Sequence, residues 1–346
     1  MPAGRVPAVQ AEGVSGPDSP ADHDGIRVAT AADHGAIVAL ATAALGWTAG
    51  DPNEALFRWK HLENPFGASG LWVGEAEGQI VAFRALMRWE FDAPDGRRRR
   101  AVRAVDTATD PAHQGRGWFR RLTLLGLDEV RADGTDFVFN TPNDQSRPGY
   151  LKMGWQAVGR VPVAVGVRGA RSARRMVTAR VPAGKWSIDT TAGEPAAEVL
   201  AETAQLESLL ASQPAPRGLR TARTPAFLRW RYADGPIRYR AVLRTARVGD
   251  GLALFRLRDR GAAVEATLCD VIVPGGDPRA RHELVRSVRR AARPDYVIRV
   301  QRPIAQDGLV RLPAQGPLLT WRGVTSGADL PTGDAWDLRL GDIELF

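Results

Sequence analysis

The sequence predicts an α/β protein: two tandem domains, each a central mixed, mostly antiparallel sheet flanked by helices. Three observations point to it. Residues 105–155 read as a strand, a tight glycine turn opening a helix, a short strand and a closing tyrosine-bearing helix. Ahead of that stretch, strand-like and helix-like segments give the order β-α-α-β-β-β. The block Arg58-Trp59-Lys60-His61-Leu62-Glu63-Asn64-Pro65 reappears as Arg229-Trp230-Arg231-Tyr232-Ala233-Asp234-Gly235-Pro236, which argues for an internal duplication. At 346 residues, 44% hydrophobic and 25% charged, the chain is long and apolar enough for two cores.

Residues 1–24 carry Pro2, Gly4, Pro7, Gly13, Gly16, Pro17 and Pro20, and are expected to be a disordered tail. Ile26-Arg27-Val28 begins the first strand. Thr30 with Asp33 three residues on is a capping-box pattern, opening a helix through Leu45 with the stripe Ile37, Leu40, Ala41 and Ala44. A second short helix is expected over 53–62. Leu71-Trp72-Val73-Gly74 and the run from Ile80 to Leu86 are strands joined at Gly78, and Ala93-Pro94-Asp95-Gly96 turns into a long strand ending at Thr109. After Trp118, the spacing of Phe119, Leu122, Leu125, Gly126 and Val130 makes a helix that Gly134 stops. Phe137-Val138-Phe139 is a short buried strand, 143–154 holds a short helix, and 158–167 reads as one closing strand. The first domain is therefore expected over 25–167.

An arginine-rich linker over 168–183 leads to the second copy, over 184–346. Ala82-Phe83-Arg84 matches Leu254-Phe255-Arg256, and Val105-Asp106 lies on Cys269-Asp270 if the hairpin between is shorter. The copies differ at the turn: Gln114-Gly115-Arg116-Gly117 in the first, Pro274-Gly275-Gly276-Asp277-Pro278 in the second. Pro278 removes an N–H, and Asp277 puts a negative charge where an anion would sit, so this second turn is expected to bind nothing. The arginines of the following helix flank the stripe Leu284, Val285, Val288 and Ala292 and read as a solvated face.

The 47 basic residues exceed the 39 acidic ones to give +8, which suits an acidic ligand. Much of the excess is arginine in an Ala/Gly/Pro/Arg-rich chain, and with dispersed charge and no aromatic-basic motif a nucleic-acid role is not expected. The single Cys269 excludes an internal disulfide and a cysteine-built zinc site, and the simplest setting is a reducing cytoplasm. His23, His34, His61, His113 and His282 form no helix-face pair, so no metal is expected. No apolar run approaches the length of a membrane span.

Gly115 and Gly117 at the mouth of a helix leave backbone N–H groups open, with no Cβ to keep an anion away: a phosphate cradle. Here the chain resembles the GNAT superfamily of acyl-CoA N-acyltransferases, in tandem form. The family's turn, Gln/Arg-x-x-Gly-x-Gly/Ala, is matched by Gln114 and Gly117, with Phe119 departing in the last position. An asparagine seven residues before a tyrosine, itself four before Gly-aromatic, is matched by Asn143, Tyr150, Gly154 and Trp155. The motifs cover about 26–167; the second half joins the resemblance only through the duplication.

The resemblance implies acetyl-CoA or another acyl-CoA as co-substrate and a small-molecule primary amine, such as an amino sugar or antibiotic intermediate, as acceptor; a long-chain acyl donor, or a non-catalytic CoA-binding sensor or assembly protein of the same fold, stays open. The resemblance places the CoA diphosphate on backbone N–H groups of Gln114, Gly115, Arg116, Gly117, Trp118 and Phe119, with Arg116 adding charge. The pantetheine arm would pair like an added strand with Thr107, Ala108 and Thr109, near a backbone N–H that stabilises the oxyanion. Asn143 would bond the arm, and Tyr150 would protonate the departing thiolate. A lysine-like acceptor costs roughly 4–5 kcal/mol to deprotonate at neutral pH. Asp106 is the first candidate for its base, with Glu63 and His61 as alternatives. A structural role for Asp106 stays open because Asp270 recurs in the other copy, as do a core role for Tyr150 and a turn role for Asn143. Trp59 and Trp230, repeated at equivalent places, are expected to pack.

Overall fold

The computed structural model describes residues 25–300, 308–325 and 335–344, so the tail expected over 1–24 lies outside the described residues. The first half runs β1 (Ile26–Val28), α1 (His34–Ala44), α2 (Asn53–His61), β2 (Gly70–Ala76), β3 (Gln79–Asp92), β4 (Arg98–Thr109), α3 (Trp118–Ala132), β5 (Phe137–Asn140), α4 (Arg147–Lys152) and β6 (Gln156–Arg160), the order read from the sequence. Thr30 and Asp33 form the capping box, around a 3-10 turn that leads into α1.

The single closing strand expected over 158–167 is instead two strands, β6 and β7 (Val163–Val167), in different sheets. Pro162 lies between them and cannot donate to a ladder, so the pairing breaks there. The expected linker contains a helix, α5 (Ala170–Thr178). The second half continues with β8 (Glu194–Pro195), α6 (Ala196–Leu200), α7 (Thr203–Ala211), β9 (Arg220–Thr221), α8 (Pro225–Arg229), β10 (Arg240–Leu243), β11 (Leu252–Arg260), β12 (Ala263–Ile272), α9 (Pro278–Ala292), β13 (Tyr296–Val300), β14 (Val310–Leu312), β15 (Leu318–Gly323) and α10 (Leu340–Ile343).

One sheet has the order β1-β2-β3-β4-β5-β15-β6, with β9 off β3; the other has β14-β7-β13-β12-β11-β10-β8. Read from opposite ends, these orders correspond strand for strand. β15, from the second half, lies between β5 and β6, and β7, from the first, lies between β13 and β14. The halves thus exchange one strand each. Only β4 with β5 and β12 with β13 are parallel among the described ladders.

Both central hairpins carry a one-residue bulge: Val105 and Asp106 face only Ala85 between the pairs Arg84↔Thr107 and Leu86↔Ala104, and Cys269 is the extra residue between Leu254↔Asp270 and Phe255↔Leu268. Laying Asp106 on Asp270 then places Arg84 on Ala253 and Met87 on Arg256. The sequence match of Arg84 with Arg256 is three residues out of register, because spacing alone does not reveal how the hairpin lengths compensate for the bulge.

Layering follows from the cores. The long helices α3 and α9 each pack on the outer face of one sheet, through Trp118, Leu122 and Val130 in one case and Leu284, Val285 and Val288 in the other. The inner faces contribute to one core shared by both halves. At its centre Trp59 and Trp230 stack with ring centroids 5.1 Å apart. Trp59 Nε1 donates to the Trp230 carbonyl at 2.5 Å and Trp230 Nε1 to the Trp59 carbonyl at 2.8 Å. Each indole therefore buries its apolar body while its N–H is satisfied by the other half.

A buried ion cluster fixes the carboxy-terminal segment. Arg223 Nε donates to Asp270 (2.9 Å), its Nη2 contacts both Asp342 oxygens (3.0 Å), and Arg339 completes the cluster on Asp270. Burial alone would raise the Asp270 carboxyl, but Arg223 and Arg339 outweigh it and hold the pKa at about 2.

Trp230→Ala is expected to cost about 3–5 kcal/mol and, because the halves share a core and strands, to shift one common denaturant transition followed by fluorescence and far-UV circular dichroism; two separated transitions would contradict the shared architecture. Asp270→Asn takes the carboxylate from Arg339 and leaves Arg223 with Asp342 alone, and is expected to cost about 3–5 kcal/mol at neutral pH. Since the folded-state pKa lies below the unfolded value, this stabilisation is complete above the ordinary carboxylate range and lost as pH falls through about 2. Urea denaturation at neutral pH and near pH 3 should show the gap between variant and wild type narrowing in acid.

Candidate active site

The site begins where two parallel strands part. β4 and β5 pair over Ala101↔Phe137, Val102↔Val138 and Arg103↔Phe139 only, so the remainder of β4, through Thr107, Ala108 and Thr109, has no strand partner on that side among the described residues. A cleft of about 540 Å³ opens in the gap. Its walls include Asp106 and Thr107 from β4, Phe119 from α3, Asn143, and Tyr150 from α4. The Thr107 hydroxyl is engaged with the Phe83 carbonyl (2.9 Å), and Ala108 is buried.

The glycine turn lies beyond the end of β4. Gly115 and Gly117 have φ of +76° and +79°, left-handed values that disfavour a side chain, and a Cβ at Gly115 would meet nothing within 4 Å. Gly117 is the N-cap of α3 and no side chain caps the helix, so the first-turn N–H groups face an open approach. Asp110 braces the turn by accepting from the Ala112 N–H (2.8 Å), and Gln114 Nε2 reaches the Thr109 carbonyl at 3.5 Å. Arg116 is exposed. The Trp118 indole points the other way, over Gly74, where a Cβ would come within 2.5 Å of the ring; only its backbone can serve the cradle.

Tyr150 is nearly buried, with its ring edge-on to Phe119 at 5.1 Å. Its hydroxyl accepts from Arg84 Nη1 at 2.8 Å. Asn143 caps the turn before α4, its Oδ1 accepting from the Ser146 N–H and hydroxyl, both at 2.8 Å.

Asp106, re-aimed by the bulge, reaches Lys60 Nζ (2.8 Å) and His61 Nε2 (2.9 Å). Burial works to raise its carboxyl, but Lys60 and His61 prevail and hold it well below the usual carboxylate range. Burial lowers both Lys60 and His61, with Asp106 opposing the effect. An ionised Asp106 only accepts, so His61 donates from Nε2 and accepts at Nδ1 from the Ser69 hydroxyl (3.0 Å). His61 is fully buried and does not line the cleft. Glu63 pairs with Arg58 at 3.4 Å and lines a separate surface groove.

Residues the sequence reading did not single out also shape the cleft. Arg103 donates to the carbonyls of Asp342 (2.5 Å) and Ile343 (2.8 Å), so the carboxy-terminal segment forms one wall through Ile343. Behind the wall, Arg84 reaches the cleft only through Tyr150, and is legible as the one charge between Ile80 and Met87.

The second turn is built differently. Asp277 caps α9 and accepts from the N–H groups of Arg279 (2.9 Å) and Ala280 (3.4 Å), and Pro278 has none. Pro214 lies against Gly276, within 3.2 Å of where its Cβ would be.

Residues 25–158 match the sequence profile of the acetyltransferase (GNAT) domain. No curated protein sequence matches the chain. A GCN5-related N-acetyltransferase from Anabaena variabilis ATCC 29413 superposes with a TM-score of 0.61 at 14% identity, over 87% of this chain and 73% of that one. One from Kribbella flavida gives 0.59 at 15% identity, over 86% and 71%. Eis1 from Mycobacterium abscessus gives 0.55 at 17% identity, over 88% and 74%. At these identities the structures share a fold, and most of this chain lies within it. No described helix is long and apolar enough to cross a membrane, and no described His, Cys, Asp and Glu residues cluster to hold a metal ion. The half that carries the open turn thus matches an acetyltransferase (GNAT) domain, and the fold of GCN5-related N-acetyltransferases extends over most of the rest.

Proposed function

We propose that the first half transfers an acyl group, acetyl by default, from acyl-CoA to the primary amine of a small molecule such as an amino sugar or antibiotic intermediate. The observation that carries this reading is the unpaired edge of β4 between two chemical ends. At one end is the uncapped α3 turn, at the other Tyr150 and Asp106. The diphosphate sits on the turn, from Gln114 to Phe119, favoured by the helix dipole. The pantetheine amides pair along Thr107, Ala108 and Thr109, and the free amide of Asn143 faces the arm. This brings the thioester against Tyr150, in a cytoplasmic setting where acyl-CoA is at hand.

The amine nitrogen attacks the carbonyl carbon, and a β4 backbone N–H receives the developing oxyanion. As the C–S bond breaks, its electron pair stays on sulfur and the Tyr150 proton neutralises the thiolate. Asp106 is the one acid among the described residues lining the cleft. Held at low basicity by Lys60 and His61, it suits the electrostatic orientation of the acceptor, whose proton passes to water.

Turnover measured as CoA release with acetyl, malonyl and decanoyl donors against a panel of amines tests the reading. Acetyl transfer to a primary amine is expected, and Tyr150→Phe is expected to lower kcat about 10²–10⁴-fold with little change in KM for the donor. Undiminished transfer by Tyr150→Phe would remove the acid assignment, and no transfer from any donor would remove the proposal.

A further inference from the structure

Arg84 is fully buried in β3, opposite Thr107 of β4 and Trp72 of β2. It has no carboxylate partner among the described residues, and its Nε and Nη2 are buried without any hydrogen bond. Its one recorded hydrogen bond is from Nη1 to the Tyr150 hydroxyl, and its guanidinium lies 5.7 Å from the Phe119 ring centroid and 5.4 Å from that of Tyr150. A guanidinium removed from water with most of its donors unmet is a costly arrangement, and native structures keep such arrangements where they serve a site. The register of the two sheets adds a second observation. Ala253 stands in the place of Arg84 in the half whose turn is closed, so the unpaired cation belongs only to the half with the open turn.

From this geometry we infer that Arg84 is a positioning residue for the acid step. The inference rests on the reading of Tyr150 as proton donor. A guanidinium has donors only, so it occupies a lone pair of the phenol oxygen and leaves that oxygen's own hydrogen to point away from it, toward the cleft. When the C–S bond breaks and the phenol proton passes to sulfur, the phenolate left behind lies 2.8 Å from a fixed positive charge in a water-poor setting. The phenolate then takes up a proton from solvent, which restores the starting state. Arg84 does not line the cleft, and acts through Tyr150. The other charged side chains on the cleft are Arg103 and Asp106, and Arg103 is committed to backbone carbonyls.

A double-mutant cycle reads this directly. Steady-state kinetics of acetyl transfer would be compared for wild type, Arg84→Met, Arg84→Lys, Tyr150→Phe and the Arg84→Met/Tyr150→Phe pair. Arg84→Met is expected to lower kcat about 10- to 100-fold with KM for acetyl-CoA within about threefold of wild type, and Arg84→Lys to recover most of the loss. In the Tyr150→Phe background Arg84→Met should add less than about twofold. A full loss in that background, or a rise in KM in place of a fall in kcat, would overturn the inference. If Tyr150→Phe is fully active, the acid reading itself fails and the inference with it; if Tyr150→Phe is impaired while Arg84→Met is not, only the inference fails. Should Arg84→Met yield no soluble protein, Arg84→Gln takes its place in the same cycle with the same criteria.

Discussion

Two indole rings, each donating its N–H to the other's main chain, hold the centre of this molecule. That contact and the exchange of β7 and β15 express one constraint: neither sheet is complete without the other half. A sheet missing its penultimate strand would leave two exposed edges and an uncovered apolar face. Trp59 comes from the helix that also carries Lys60 and His61, so the packing that joins the halves also sets the position of Asp106's partners. The far end of the chain completes the arrangement, since Ile343 walls the cleft and the carbonyls of Asp342 and Ile343 hold Arg103.

Within this near-symmetric frame the matching places are built differently in the two halves. Asp106 and Asp270 occupy matching bulges, but Asp106 borders a cleft while Asp270 is sealed between Arg223 and Arg339. His61 has Tyr232 as its counterpart, whose hydroxyl donates to Asp270 at 3.2 Å. The open turn at Gly117 has as its counterpart a turn whose N–H groups are already taken by Asp277. Arg84 is matched by Ala253. The open cleft and the uncapped turn lie in the first half, and our proposal assigns the chemistry there.

Much of this was legible in the sequence because it is local. The Thr30/Asp33 capping box, the Gly78 turn, the glycine mouth of α3 and the repeated Arg-Trp block depend on neighbours a few residues away, and each lies where its pattern indicated. The strand exchange was not legible: Val163–Val167 and Leu318–Gly323 carry apolar strand patterns that name no partner, and only tertiary packing decides which sheet receives them. The bulges displaced the alignment of Arg84 for a related reason, since an extra residue in one strand is invisible until its ladder is known. At the site, spacing brought Tyr150, Phe119 and Asn143 to one cleft with Asp106, but could not reveal that Trp118 turns inward or that Asn143 spends its oxygen on Ser146. The pairing of Asp106 with Lys60 and His61 joins residues about 45 positions apart, beyond the reach of any local pattern.

The central claim is that one half alone offers an acyl-CoA site. Isothermal titration of the intact chain with acetyl-CoA, repeated with Gly117→Val and with Gly276→Val, tests it most directly. The account predicts one site per chain, weakened at least about tenfold by the side chain at Gly117, where the left-handed turn and the anion's approach are both disturbed. The Gly276 substitution should leave that affinity in place. Two sites per chain, or one site weakened by Gly276→Val and indifferent to Gly117→Val, would contradict it.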